Sequence, residues 1–341
     1  MPQFSSAYAA GKVSALSVSL LKRADMDRIA MSASVPEALK LLADMGWGEA
    51  SDMPSFDALA LRKLAAACAL ARDITPEPLI TDCFLLKYDI ANLKILIKSK
   101  VLGKDACALS PCGVYGRDVL RDAMKRGDYT CLPEILRDAL NKLNSGNDAE
   151  DTVGADSISA LVDPPRIDAE LEKALFAQIF ANLRAARDAV VSRYFTASAE
   201  LANLMTALRC GAMGYGAQCA ESMFVPGGTL DPAALNRVAG GSDSPRRLIS
   251  GKPYYPALRK GIDDYLNGDS LALLESEIDG YLLSIIRPHR HDIDNALPLV
   301  WYLLSCEREA SALRMIISAK AARLHASRFI DERMRAVHAT G

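Results

Sequence analysis

The stretch Phe84-Leu-Leu-Lys87-Tyr-Asp89-Ile-Ala-Asn92-Leu93-Lys94-Ile-Leu-Ile97-Lys98 decides the fold, because the chain writes it three times. From the acid onward the second copy reads Glu200-Leu-Ala-Asn203-Leu204-Met205, 111 residues later, and the third reads Glu309-Ala-Ser-Ala312-Leu313-Arg314, a further 109 on. Each copy has an apolar residue eight places after the acid (Ile97, Leu208, Ile317) and another five places before it (Phe84, Phe195, Leu304). Within the first copy Leu86, Ile90, Leu93 and Ile97 recur at helical spacing and form one apolar stripe. The second stripe is Ala197, Leu201, Leu204 and Leu208, and the third is Cys306, Ala310, Leu313 and Ile317.

A second marker supports the repeat. Pro36, Pro133 and Pro256 each open an apolar segment with a basic residue four places on: Lys40, Arg137 and Lys260. Proline and acid are 53 residues apart in the first and third copies and 67 in the second. The polar, acidic stretch 144–163 accounts for the surplus and reads as a surface loop insertion. The repeats are therefore expected at 1–115, 116–225 and 226–341.

Helix signals dominate the rest. Ser34 with Glu37 forms a capping-box pattern, and Thr75 with Pro76 and Asp231 with Pro232 each place a cap before a first-turn proline. Alternating strand patterns are scarce, so the fold class is all-α. In the 341 residues, 50% are apolar and 24% charged, which suits a helical protein with cores of its own. A formal charge of −2 provides no global attraction for nucleic acid. Eight cysteines without a CxxC pair read as reduced, cytosolic thiols. The longest apolar run, 296–306, is too short for a direct membrane span, and no secretory leader pattern opens the chain.

Motifs for chemistry are weak. There is no GxxxxGK[ST] phosphate loop. Gly211-Ala-Met-Gly214-Tyr-Gly216 has the wrong order for a dinucleotide fingerprint and reads as a helix C-cap and turn. Gly227 and Gly228 read as a tight turn. His289-Arg-His291 has no partner at zinc-site spacing. Asp263-Asp264 resembles half of the aspartate-rich magnesium motif of all-α isoprenoid enzymes, which leaves a magnesium-dependent diphosphate enzyme as the alternative function. A generic helical scaffold is the other alternative, although common helical repeats are much shorter than this period. No cofactor and no metal are expected.

The first-copy run from Phe84 to Lys100 resembles the signature of the C/d-type family of V-type ATPase stalk proteins. So do the opening 8–23, Phe224-Val-Pro-Gly227-Gly228-Thr-Leu-Asp231, and Glu307-Arg-Glu309 followed by Leu313-Arg314. The resemblance spans about residues 5–335. It implies three similar helical bundles around a pseudo-threefold axis, forming a funnel between the proteolipid ring of the membrane sector and the D and F subunits of the central shaft. It also implies a rotor part that does no chemistry, held on the cytoplasmic side of the membrane. Met205 departs from the pattern in place of a basic residue, as does Ala312 in place of Asn. Candidate partner-binding residues are Lys87, Asp89, Asn92, Lys94, Lys98, Glu200, Asn203, Arg209, Glu307, Glu309 and Arg314.

Overall fold

A computed structural model describes residues 4–48, 55–106, 108–145 and 164–323. Helices are the only regular elements among them, as the sequence pattern predicts. By contact the chain divides into two units, Met1–Thr81 with Pro253–Gly341 and Asp82–Lys252.

The first unit opens with α1 (Ser6–Ser17), α2 (Arg23–Met31) and α3 (Val35–Leu42), followed by a π turn (Ala43–Trp47) and α4 (Phe56–Ile74). The expected cap at Ser34 is present: its hydroxyl accepts the Glu37 N–H, and the Glu37 carboxylate reaches back to the Ala33 N–H. Thr75 is a correction. It ends α4 instead of opening the next helix, and α5 (Pro78–Val101) starts three residues later. Pro78 disfavours helical geometry at Glu77, so the first turn forms on the Glu77 carbonyl, which accepts from Ile80 and Thr81.

The second unit takes α5 from Asp82 onward and continues with α6 (Arg117–Arg126), α7 (Glu134–Ser145), α8 (Pro164–Ala186) and α9 (Ala189–Met213). α10 (Gly216–Met223), α11 (Pro232–Ala239) and α12 (Pro245–Ile249) complete it. Most of the proposed insertion 144–163 lies outside the described residues. Asp188 caps α9 by accepting the Val191 N–H, and Gly214 ends it in the left-handed conformation at φ 71°. The Gly211–Gly216 stretch is thus a helix end and turn. Asp231 caps α11 ahead of Pro232, as its sequence pattern predicts.

The first unit is closed by α13 (Tyr255–Leu266), α14 (Ala272–Ile286), a 3-10 turn (Arg287–His289) and α15 (Leu297–Ala321). α15 packs against α1, α2, α3, α4 and α14, and the Glu77 carboxylate accepts the Ala296 N–H at its start. Its inner face joins Leu313, Ile316 and Ile317 to Ile29, Leu42, Trp47 and Leu59 in one core. Every residue of the three predicted stripes is buried, as are Phe84, Phe195 and Leu304. The three quoted stretches are therefore the core-facing sides of α5, α9 and α15.

Candidate functional site

The acid of each repeat lies inside the protein: Asp89 is 0%, Glu200 3% and Glu309 5% exposed. A buried carboxylate is costly unless donors surround it, and backbone N–H groups of a loop are suitable donors. In the first copy Asp89 accepts from Val114 N–H at 2.7 Å and Tyr115 N–H at 3.1 Å. Asn92, one turn on, holds the same loop from the other side. Its amide donates to the Ser110 carbonyl and its oxygen accepts the Ser110 N–H, both at 2.8 Å.

The second copy repeats this arrangement. Glu200 accepts from the Thr229 N–H at 2.8 Å and the Thr229 hydroxyl at 2.5 Å, while Asn203 exchanges two bonds with Val225. The two loops align as Ser110-Pro-Cys-Gly113-Val-Tyr115 and Val225-Pro-Gly-Gly228-Thr-Leu230. Gly113 and Gly228 occupy the same place in both. A Cβ on Gly113 would lie 2.0 Å from Asp89 Oδ1, and one on Gly228 would lie 2.8 Å from Glu200 Cγ. Gly228 therefore serves close approach to the acid, while Gly227, at φ 101°, serves the turn and also leaves no room for a Cβ, which would lie 1.7 Å from the Phe180 ring. The second copy adds Lys252, whose ammonium is 3.0 Å from Glu200.

The third copy closes on the other end of the chain. Glu309 accepts the Leu21 N–H, 288 residues away, from the segment between α1 and α2. Leu21 immediately precedes Lys22, the N-cap of α2, as Tyr115 precedes Gly116, the N-cap of α6. The loop that follows the acid helix in two copies thus comes from the start of the chain in the third. This clamp differs from the other two. Ala312 replaces the asparagine, and Glu309 Oε2 is buried with no hydrogen-bond partner. Burial raises the Glu309 pKa, with the Leu21 N–H and the Lys63 charge acting the other way. Burial, then the Asp89 charge, likewise pushes Tyr115 up to about 12.

The other candidate residues lie nearer the surface. Lys94 pairs with Glu172 at 2.5 Å and Lys98 with Asp168 at 2.7 Å, tying α5 to α8. Lys87 is exposed, with its ammonium 5.3 Å from the Tyr88 ring centre. Arg209 is exposed and Glu307 half-buried. Arg314 is exposed and bonds Asp57 across to α4. Sequence reading missed the clamp partners Ser110, Gly113, Val225, Thr229, Lys252 and Leu21. The paired Pro-x-Gly patterns after two of the acids were the available signal.

Asp263 and Asp264 sit near the end of α13, where Asp263 is 3.9 Å from Arg259. His289 bonds Asp292 through Nδ1 at 2.9 Å. Among the described residues no group of three His, Cys, Asp or Glu side chains is arranged to hold a metal ion. None of the seven described cysteines is in a disulfide. No described helix is long and apolar enough to cross a membrane. A comparison with curated proteins returns no match. The family model described as ATP synthase (C/AC39) subunit matches residues 9–332, nearly the whole length, and the chain belongs to that family.

Proposed function

We propose that the chain is the central-stalk socket of a rotary V-type ATPase or ATP synthase, a non-catalytic part that links the proteolipid ring to the D and F subunits of the shaft. It carries torque for ATP-coupled proton or sodium transport from the inner face of the membrane. The observation that carries this reading is the use of the three repeated acids. All three are spent on holding loops of their own chain, which makes a stiff scaffold and leaves exposed side chains to meet partners. A torque-bearing spacer needs this stiffness and two separate interfaces, each above about 1,000 Å² of total buried area.

In this proposal the three repeats form three bundles about a pseudo-threefold axis. The contacts are made by surface residues such as Lys87, Arg209 and Arg314, one from each copy, and the shaft draws on them unequally. Co-purification of the chain with a detergent-solubilised ring and with the shaft proteins tests this. The chain is expected to retain both partners, and alanine at Lys87, Arg209 and Arg314 is expected to weaken shaft binding to different degrees. Equal losses at all three positions contradict the asymmetry, and failure to retain either partner contradicts the role.

A further inference from the structure

The first unit contains a cavity of 870 Å³ lined by α1, the segment leading into α2 and its first turn, the end of α14 with the turn after it, and one side of α15. That size falls in the range of about 300–1,000 Å³ common for small-molecule sites. Its wall has two characters. Met26, Leu283, Pro298 and Trp301 supply an apolar surface, while Lys22, Arg23, Arg287, Arg290, His291 and Arg308 supply basic groups. Glu309 is the one acid among the residues that line the cavity. Some of the basic groups have internal duties: Arg23 pairs with Asp27 at 3.1 Å, Arg308 is 3.5 Å from Asp279, and Arg290 donates to the Arg287 carbonyl. Four arginines around an apolar cavity remain an unusual concentration in a chain whose formal charge is −2.

We propose that this cavity binds an anionic amphiphile, with the apolar chain against Met26, Leu283 and Trp301 and a phosphate head at Arg287, Arg290 and Arg308. Guanidinium groups match phosphate oxygens in geometry and remain charged at every physiological pH. The apolar wall supplies the part of the affinity that a free phosphate ion lacks. The same basic run around His289-Arg-His291 that holds no metal cluster is thereby given a role. This site is independent of the socket reading.

Titration of the full chain with dodecyl phosphate, kept below micelle-forming concentration, tests the proposal through the emission of Trp301. A saturable change is expected in the wild type and none in Trp301→Phe, since the other tryptophan, Trp47, is buried in the core of α2, α3, α4 and α15. Arg287→Ala with Arg290→Ala is expected to weaken binding at least about tenfold. Wild-type binding is also expected to weaken as salt rises, because head-group attraction is screened while apolar partition is not. Inorganic phosphate and dodecyl maltoside are each expected to bind at least about tenfold more weakly than dodecyl phosphate. Equal binding of dodecyl maltoside, insensitivity to salt, an unchanged affinity in the arginine variant, or a response retained in Trp301→Phe overturns the proposal. Inorganic phosphate binding as tightly as dodecyl phosphate overturns the amphiphile and leaves a simple anion site.

Discussion

Phe84 and Phe195 hold the same place in the first and second repeats, five residues before the acid, and their rings meet with centroids 4.9 Å apart at an interplanar angle of 50°. Equivalent residues of two copies thus touch each other. Tyr194 joins both rings, at 5.2 Å from Phe84 and 5.0 Å from Phe195. A tilted aromatic pair of this kind adds about 0.5–1.5 kcal/mol beyond area burial. A double-mutant cycle of Phe84→Leu and Phe195→Leu, followed by urea unfolding, is expected to return a coupling energy of that size. Additive losses would show that the two repeats do not support each other there.

The glycine of the first clamp is a steric requirement. Because Gly113 already lies against the Asp89 carboxylate, Gly113→Ala must push the loop off its acid, at an expected cost of about 2–4 kcal/mol. Gly251→Ala is the control, since nothing lies within 4 Å of its Cβ position, and it should change stability by less than about 0.5 kcal/mol. Equal effects of the two substitutions in chemical denaturation would remove the close-approach argument.

The lysine of the second clamp balances a buried charge. Glu200 is 4% and Lys252 23% exposed at the side chain, so Lys252→Met takes a charged partner from a buried acid. A loss of about 1–3 kcal/mol is expected. Thr229→Val in the same background should be less than additive, because Lys252 and Thr229 share Glu200 Oε1. Full additivity in thermal or urea unfolding would separate the two contacts.

The third clamp has a pH signature. The folded-state pKa of Glu309 is raised above its ordinary 4.5, so the unfolded chain loses this proton first. Its contribution is favourable below that ordinary value and is lost as pH rises through the folded value. Glu309→Gln keeps an acceptor for Leu21 but cannot ionise, so its stability relative to wild type is expected to improve between about pH 4.5 and neutrality. Urea unfolding at several pH values measures this, and a difference independent of pH would show that Glu309 titrates normally.

The scaffold was legible in the sequence because burial on a helix leaves a period. Leu86, Ile90, Leu93 and Ile97 can be read as one face from spacing alone, and the same holds for the stripes around Glu200 and Glu309. The role of the acids was not legible. An aspartate beside an apolar stripe reads equally as solvent-facing or as an internal acceptor until its donors are known. Those donors are loop backbone, 25 residues away for Val114, 29 for Thr229 and 288 for Leu21, and only the Pro-x-Gly turns of the first two loops leave a trace in the sequence. The third clamp was hidden further because its loop stands at the opposite end of the chain. The start of α5 was misplaced because Thr75-Pro76 has the form of a cap while Pro78 sets the boundary.

The most direct test of the socket role is coupling in the assembled enzyme. Membranes carrying the rotary complex, stripped of this chain, should retain ATP hydrolysis by the detached catalytic part and lose ATP-driven ion pumping. Adding the purified chain should restore pumping. Pumping that persists without the chain, or that the chain fails to restore, would contradict a torque-carrying link between shaft and ring.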